Sequence, residues 1–308
     1  MSKHKYILSI AGFDPSSGAG ITSDIKTFEA HGFYGLGVCT AVTVQNDINF
    51  KSCHWTPIAI ITQQIESLFE RFQIDIVKIG IVENWPTLSI ILDKLHVLNP
   101  EIKIVLDPIL RASAGFDFHS QEEQSLVVKI LKQCFIITPN YDEIKGLFPE
   151  KDIEDTIEYV LDHTNIYLKG GHRSDKKGWD ELHHSKIVMV NIPPKAVEIN
   201  DKHGSGCVLS SSLACNILEE KELEDAARNA KYYTEYFLNS TQNKTEGKKV
   251  REDILEGNVD LLYVAPESLT KKKNIEFKME KLNTEVCSLT VILDSEGNAI
   301  TLHQLKGK

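Results

Sequence analysis

The chain has 308 residues, 42% hydrophobic and 25% charged, with a formal net charge of −10. That length suits one large α/β domain or a domain with an appendage. The acidic balance argues against a general nucleic-acid or anionic-membrane binder, and no apolar run reaches the roughly 18 residues of a membrane span.

The chain opens with Met1-Ser2-Lys3-His4-Lys5, which leads straight into a strand-like run without the h-region of a signal peptide. Short Ile- and Val-rich runs then alternate with helical patterns. The predicted strands are Tyr6–Ile10, Gly37–Val44, Ile74–Ile79, Ile102–Leu106, Phe135–Thr138 and Asn165–Leu168. They show little polar alternation, as parallel strands buried on both faces should. Ile21, Ile25 and Phe28 recur at helical spacing, with Gly32 placed to end that helix, and Pro57–Phe72, Trp85–Leu98 and Gln121–Gln133 look similar. This βαβ order predicts a layered α/β domain with a mostly parallel sheet, whose ligands sit beyond the carboxyl ends of the strands.

Polar clusters follow those strand ends: Gly12-Phe13-Asp14, Gln45-Asn46, Asp107-Pro108, Pro139-Asn140 and Lys169-Gly170-Gly171-His172. His183-His184 lies in a polar stretch and is expected to face solvent. Near residue 241 the character changes. The polar stretch 242–249 reads as a linker. Leu261–Val264 and the basic run Lys271–Lys273 follow, and Glu296-Gly297-Asn298 divides Ser288–Leu302 as a hairpin turn would. The predicted division is therefore 1–241 and 242–308. The six cysteines follow neither a disulfide nor a zinc-ribbon spacing, which fits a reducing cytoplasm.

Chemistry concentrates in Asp201-Lys202-His203-Gly204-Ser205-Gly206-Cys207, ahead of the helical run from Val208. A glycine-rich turn that opens a helix aims unpaired N–H groups at one point, which the helix dipole makes an anion site. A thiol in the first turn has a reason to be acidic, although a buried structural cysteine reads the same way. Ser16-Ser17-Gly18-Ala19-Gly20 is a second glycine turn before a helix; the Walker pattern is absent. Asp107 suits Mg²⁺ or a turn cap. Asn140 and Glu143 suit a hydrated cation or a capping box. Lys169 between glycines can meet phosphate, and the Gln45 amide can meet a heteroaromatic ring.

In this order the segments resemble the ribokinase-like superfamily, and within it the hydroxymethylpyrimidine/phosphomethylpyrimidine kinases of thiamine synthesis. The stretches concerned are 10–21, 24–28, 40–46, Lys78-Ile79-Gly80, Leu106-Asp107-Pro108, Ile137–Asn140 with Glu143, 168–172 and 203–207. The resemblance implies ATP and Mg²⁺. It implies Cys207 as general base, with Gly204, Ser205 and Gly206 as the anion hole. Gln45 and Thr43 would read the pyrimidine, beside Asp24, Gly12 and Ala19. Lys169, Asn140 and His203 would accompany the nucleotide, and Glu143 and Asp107 the metal. It also implies a cytoplasmic homodimer acting on small molecules, with neither a membrane nor a nucleic acid as partner. Departures from the pattern are Asp201-Lys202 for Asn-Thr, Ile81 for methionine, Ser113 for lysine and Phe13 for threonine. Pyridoxal kinases share the scaffold and are the alternative, and a catalytically silent pyrimidine-binding protein is a third reading. Separately, 257–270 resembles a short segment of RecQ-type helicases. That enzyme's nucleotide loop and Asp-Glu-x-His box are absent, so no helicase activity follows.

Overall fold

The apolar runs form strands and the periodic runs form helices. In chain order these are β1 (Tyr6–Phe13), α1 (Gly20–Ala30), β2 (Tyr34–Gln45), β3 (Phe50–Trp55), α2 (Ile58–Phe69), β4 (Ile74–Ile79), α3 (Trp85–Leu98), β5 (Lys103–Leu106), α4 (Gln124–Leu131), β6 (Ile136–Ile137), α5 (Tyr141–Leu147), α6 (Ile153–Leu161), β7 (Asn165–Leu168), β8 (Asp180–His184), β9 (Val188–Ile192), α7 (Ser205–Leu218) and α8 (Leu223–Asn239). Strands β10 (Lys278–Asn283), β11 (Cys287–Leu293) and β12 (Ala299–Leu305) follow. The computed structural model describes residues 5–46, 49–109, 124–171, 176–184, 188–195 and 202–239, together with those last three strands.

The chain divides into two units, Met1–Ser240 and Thr241–Lys308. Among the described residues of the first, nine strands form one sheet in the order β3-β2-β1-β4-β5-β6-β7-β8-β9. Strands β2, β1, β4, β5, β6 and β7 pair in parallel. β3 joins one edge antiparallel, and β8 and β9 close the other. The six predicted strands are the parallel ones; of the antiparallel three, β3 and β8 lack an apolar run because polar residues interrupt it. His183 corrects the expectation of a solvent-facing pair. Strand β8 takes it into the sheet, where it is 8% exposed and its Nε2 lies 3.0 Å from Glu181.

Successive residues of the parallel strands enter opposite cores, as a pleated strand requires. Leu8, Val77, Ile104 and Ile137 pack with Ile61 of α2, Leu92 of α3, Ile130 of α4, Ile144 of α5 and Val160 of α6. Ile7, Ile76, Val105 and Ile136 pack with Phe28 of α1, Leu213 of α7 and Ala230 of α8. Each fully buried Ile or Leu contributes about 1.5–3 kcal/mol, and burial on both faces is why these strands lack polar alternation. Gly32, at φ +80°, follows α1 in the left-handed conformation that glycine adopts without strain.

The strand order reverses at β1, which has β2 on one side and β4 on the other. A crevice beyond the carboxyl ends of the strands is expected at such a point. Asp14, Asp107, Asn140 and Lys169 follow the ends of β1, β5, β6 and β7. In the second unit β10, β11 and β12 form an antiparallel sheet, with β11 and β12 paired as the predicted hairpin. The hairpin turn 296–298, the stretch 242–249, segment 257–270, residues 271–273, Ser113, His172 and Asp201 lie outside the described residues.

Candidate functional site

Asp14 organises the first glycine turn. Its carboxylate accepts the Ser16 N–H at 2.8 Å, the Ser16 hydroxyl at 2.8 Å and the Ala19 N–H at 2.9 Å, and His203 Nε2 lies 3.0 Å away. Burial alone would raise this carboxyl, but the bonds from Ser16, Ala19 and His203 outweigh it and hold it below its ordinary value. The turn delivers the chain to Gly20, whose φ of +62° starts α1.

The second turn is built against the first. Gly204, at φ +85°, is the N-cap of α7 and makes no side-chain cap bond. A Cβ on Gly204 would overlap the Gly18 carbonyl, and one on Gly18 would come within 2.7 Å of the His203 ring. The two turns therefore interlock through backbone. The first amides of α7 have no carbonyl partner within the helix, so they and the dipole form an anion site.

Cys207 sits at this joint, 8% exposed, and its Sγ accepts the Gly20 N–H at 3.4 Å. The acidic thiol anticipated from its helix position is corrected. Burial pushes the thiol up to about 11; the Lys78 ammonium pulls the other way, while Asp24 and Asp107 add to the rise. Desolvation of a thiolate here exceeds what a helix start returns.

Across the same first turn lies a charged cluster. Asp107, with a side chain 2% exposed, accepts the Thr138 hydroxyl at 3.0 Å and the Lys169 ammonium at 2.8 Å. Lys169 also lies 3.4 Å from Glu143. A Cβ on Gly206 would stand 3.6 Å from Lys169 Nζ and 3.8 Å from Asp107 Oδ2. Asn140 and Glu143 do form the capping box: the Glu143 N–H donates to Asn140 Oδ1 at 2.8 Å and the Asn140 N–H to Glu143 Oε2 at 2.7 Å. The other Glu143 oxygen is left for chemistry, so cap and cation site are compatible. Burial would lower Lys169, but Asp107 and Glu143 reverse this and keep it charged. Burial raises Glu143; Lys169 opposes the rise and Asp107 adds to it, leaving the carboxyl above its ordinary value. Two carboxylates thus share one ammonium, and a hard cation would relieve both. Among the described residues no group of three or more His, Cys, Asp or Glu surrounds a metal position. An ion here would therefore take its remaining ligands from phosphate and water.

The residues expected at the pyrimidine divide. Gly12 lies under Ile81, whose Cγ2 would be 2.8 Å from an added Cβ. Thr43 donates its hydroxyl to the Phe13 carbonyl at 2.9 Å, and Gln45 stands half-buried at the end of β2. Ala19 is the N-cap of α1. Asp24 is a correction: it is fully buried, with both oxygens on Lys78 and further bonds from Ser9 and Ser211, so it faces no ligand. The sequence patterns assign Lys78 no role. Its signal was a lone cation inside the apolar strand Ile74–Ile79, where an unpaired charge would be costly.

A family model described as phosphomethylpyrimidine kinase matches residues 14–251. The chain belongs to this family. The hydroxymethylpyrimidine/phosphomethylpyrimidine kinase of Aquifex aeolicus is 35% identical over 242 residues, which cover 76% of this chain and 94% of the relative. That of Haemophilus influenzae is 30% identical over 260 residues, 80% of this chain and 96% of the relative. The crystal structure of a phosphomethylpyrimidine kinase from Clostridium difficile is 31% identical with a TM-score of 0.63, covering 76% of this chain and 99% of that one. Staphylococcus aureus pyridoxal kinase, solved with pyridoxal, is 20% identical with a TM-score of 0.68 and covers 80% of this chain and 91% of its own. At that identity the likeness is one of fold. The chain shares with both solved structures the mostly parallel, helix-flanked fold described above.

Proposed function

We propose that this chain transfers the γ-phosphoryl group of ATP to the 5-hydroxymethyl oxygen of 4-amino-5-hydroxymethyl-2-methylpyrimidine, and then to the phosphate of the monophosphate. The product is the diphosphate used in thiamine biosynthesis. One observation carries the reading: the first turn of α7 touches Gly20 through Cys207 and approaches Lys169 and Asp107 through Gly206. A proton acceptor, uncapped amides and a phosphate-binding cation therefore share one turn.

In this reading the amides of Ser205, Gly206 and Cys207 meet charge as it develops on the phosphoryl oxygens. Lys169 neutralises phosphate, and His203, held by Asp14, lines the nucleotide side with Asn140. Glu143 and Asp107 would hold Mg²⁺, which when bound offsets the charge on the phosphates. Gln45, Thr43, Gly12 and Ala19 bound the pyrimidine. Cys207 accepts the hydroxyl proton as its thiolate, the minor form at neutral pH. A modest base suffices, because positioning and charge stabilisation do most of the work in phosphoryl transfer. Residues 1–241 would carry all of this, with 242–308 an appendage without catalytic role. The chain would act as a homodimer in the cytoplasm; no described helix is long and apolar enough to cross a membrane.

An ATP-consumption assay with hydroxymethylpyrimidine, its monophosphate and pyridoxal tests the reading. Turnover with the first two is expected. Turnover with pyridoxal alone would replace the pyrimidine by that vitamin, and no turnover with any of the three would leave a binding protein.

A further inference from the structure

Lys78 and Asp24 form an ion pair with 0% side-chain exposure on both partners, the ammonium 2.8 and 2.9 Å from the two carboxylate oxygens. Buried pairs often stabilise less than apolar residues of the same volume, so stability alone is a poor reason for this one. The carboxylate gathers more than its partner. Ser9 of β1 donates to it at 2.6 Å and Ser211 of α7 at 2.8 Å. Groups from β1, β4 and α7 thus meet on one side chain of α1.

The spacing along both helices ties this cluster to the candidate site. Asp24 lies four residues beyond Gly20, and Ser211 four residues beyond Cys207. Residues at that spacing are stacked on one helix face. The Asp24–Ser211 bond therefore joins α1 and α7 one turn below the point where Gly20 and Cys207 join them. Two crosslinks a turn apart fix rotation about either helix axis as well as separation.

We propose that the Asp24–Lys78 pair is a positioning device for Cys207, holding the starts of α1 and α7 in register and setting the charge felt by the sulfur. The proposal rests on the reading of Cys207 as proton acceptor. The charged groups acting on Cys207 are Lys78 from β4, Asp24 from α1 and Asp107 after β5. Among them Lys78 opposes the rise of the thiol, and its pull exceeds the push from Asp24.

The test uses the full chain with Asp24→Asn, Lys78→Met and the double variant. The readouts are kcat, KM for the pyrimidine, and the rate at which iodoacetamide alkylates the Cys207 peptide at one mildly alkaline pH. Removing the carboxylate should speed alkylation and removing the ammonium should slow it, each by about tenfold for one unit of thiol acidity. A scaffold disturbed in either way would move both in the same direction. If a single variant does not fold, the uncharged double variant decides: alkylation slowed by several-fold, and kcat lowered with KM little changed, supports the proposal. Wild-type alkylation and kcat in the double variant, or shifts of one sign in both single variants, would overturn it. Alkylation reports on the thiol whether or not turnover depends on it. A Cys207→Ala variant with normal turnover would therefore defeat the base reading while leaving the alkylation result to stand.

Discussion

The Gly20 N–H, at the start of α1, lies 3.4 Å from the Cys207 sulfur in the first turn of α7, across a sequence separation of 187. Two helix starts share one point, and the Gly18 carbonyl occupies the space a Cβ on Gly204 would need. The thiol is thus placed by backbone packing as well as by its own helix. That packing also buries it, which is why it is a weak acid at rest.

Cys207→Ala should fold normally and retain substrate affinity while kcat falls by about 10²–10⁴, the span of a lost general base. Steady-state kinetics with circular dichroism as the fold control decide it. Near-normal turnover would remove Cys207 from the mechanism.

The pH dependence has a definite sign. The thiol is pushed up to about 11, so the proton-accepting form is scarce at neutral pH and grows as pH rises. While deprotonation limits the rate, kcat/KM should climb by up to tenfold per pH unit. A profile flat from neutral to mildly alkaline pH would count against thiolate participation.

Glu143→Gln separates the two uses of that residue. A glutamine oxygen can still accept the Asn140 N–H, so the capping box survives and the denaturation midpoint should change little. The lost carboxylate should raise the Mg²⁺ concentration needed for half-maximal activity. Glu143→Ala should lose the carboxylate and the reciprocal bond from the Asn140 N–H, while the Asn140 side chain still caps the residue-143 N–H, at a cost of about 0.5–1.5 kcal/mol for the one bond lost. An unchanged Mg²⁺ requirement in the glutamine variant would reduce Glu143 to a cap.

Gly204→Ala should be strongly destabilising. A non-glycine residue in the left-handed region costs about 1–2 kcal/mol, and the methyl collides with the Gly18 carbonyl as well. An alanine at Gly171, where an added Cβ meets nothing within 4 Å, is the control and should stay within about 0.5 kcal/mol of wild type in urea unfolding. Equal stability of the two variants would show that the turns are not interlocked in solution.

Particular elements show where sequence reading succeeded. Ile74–Ile79 was legible as a parallel strand because four of its six side chains are Ile or Val and fall on both faces, with Asp75 and Lys78 the exceptions. β8 was not, since Asp180, Glu181 and His183 find partners inside the fold that no local pattern reveals. Asn140 and Glu143 were legible as a capping box because that motif is local; the approach of Lys169 to Glu143 depends on β7 reaching the same edge. The burial of Asp24 was not legible, because its partners Lys78 and Ser211 lie far along the chain.

The sequence by itself determined the chain order of the six parallel strands and of α1 to α4 and α7, the two glycine turns that open helices, and the polar residues at the strand ends. Side-chain period and turn chemistry are set by near neighbours, so a linear reading recovers them. Only the tertiary structure decided that the two turns interlock, that Asp24 is spent on Lys78, and that Cys207 is a buried, weakly acidic thiol. Distance and desolvation depend on groups brought together from remote positions, and they govern which side chains can touch a ligand and hold or release a proton.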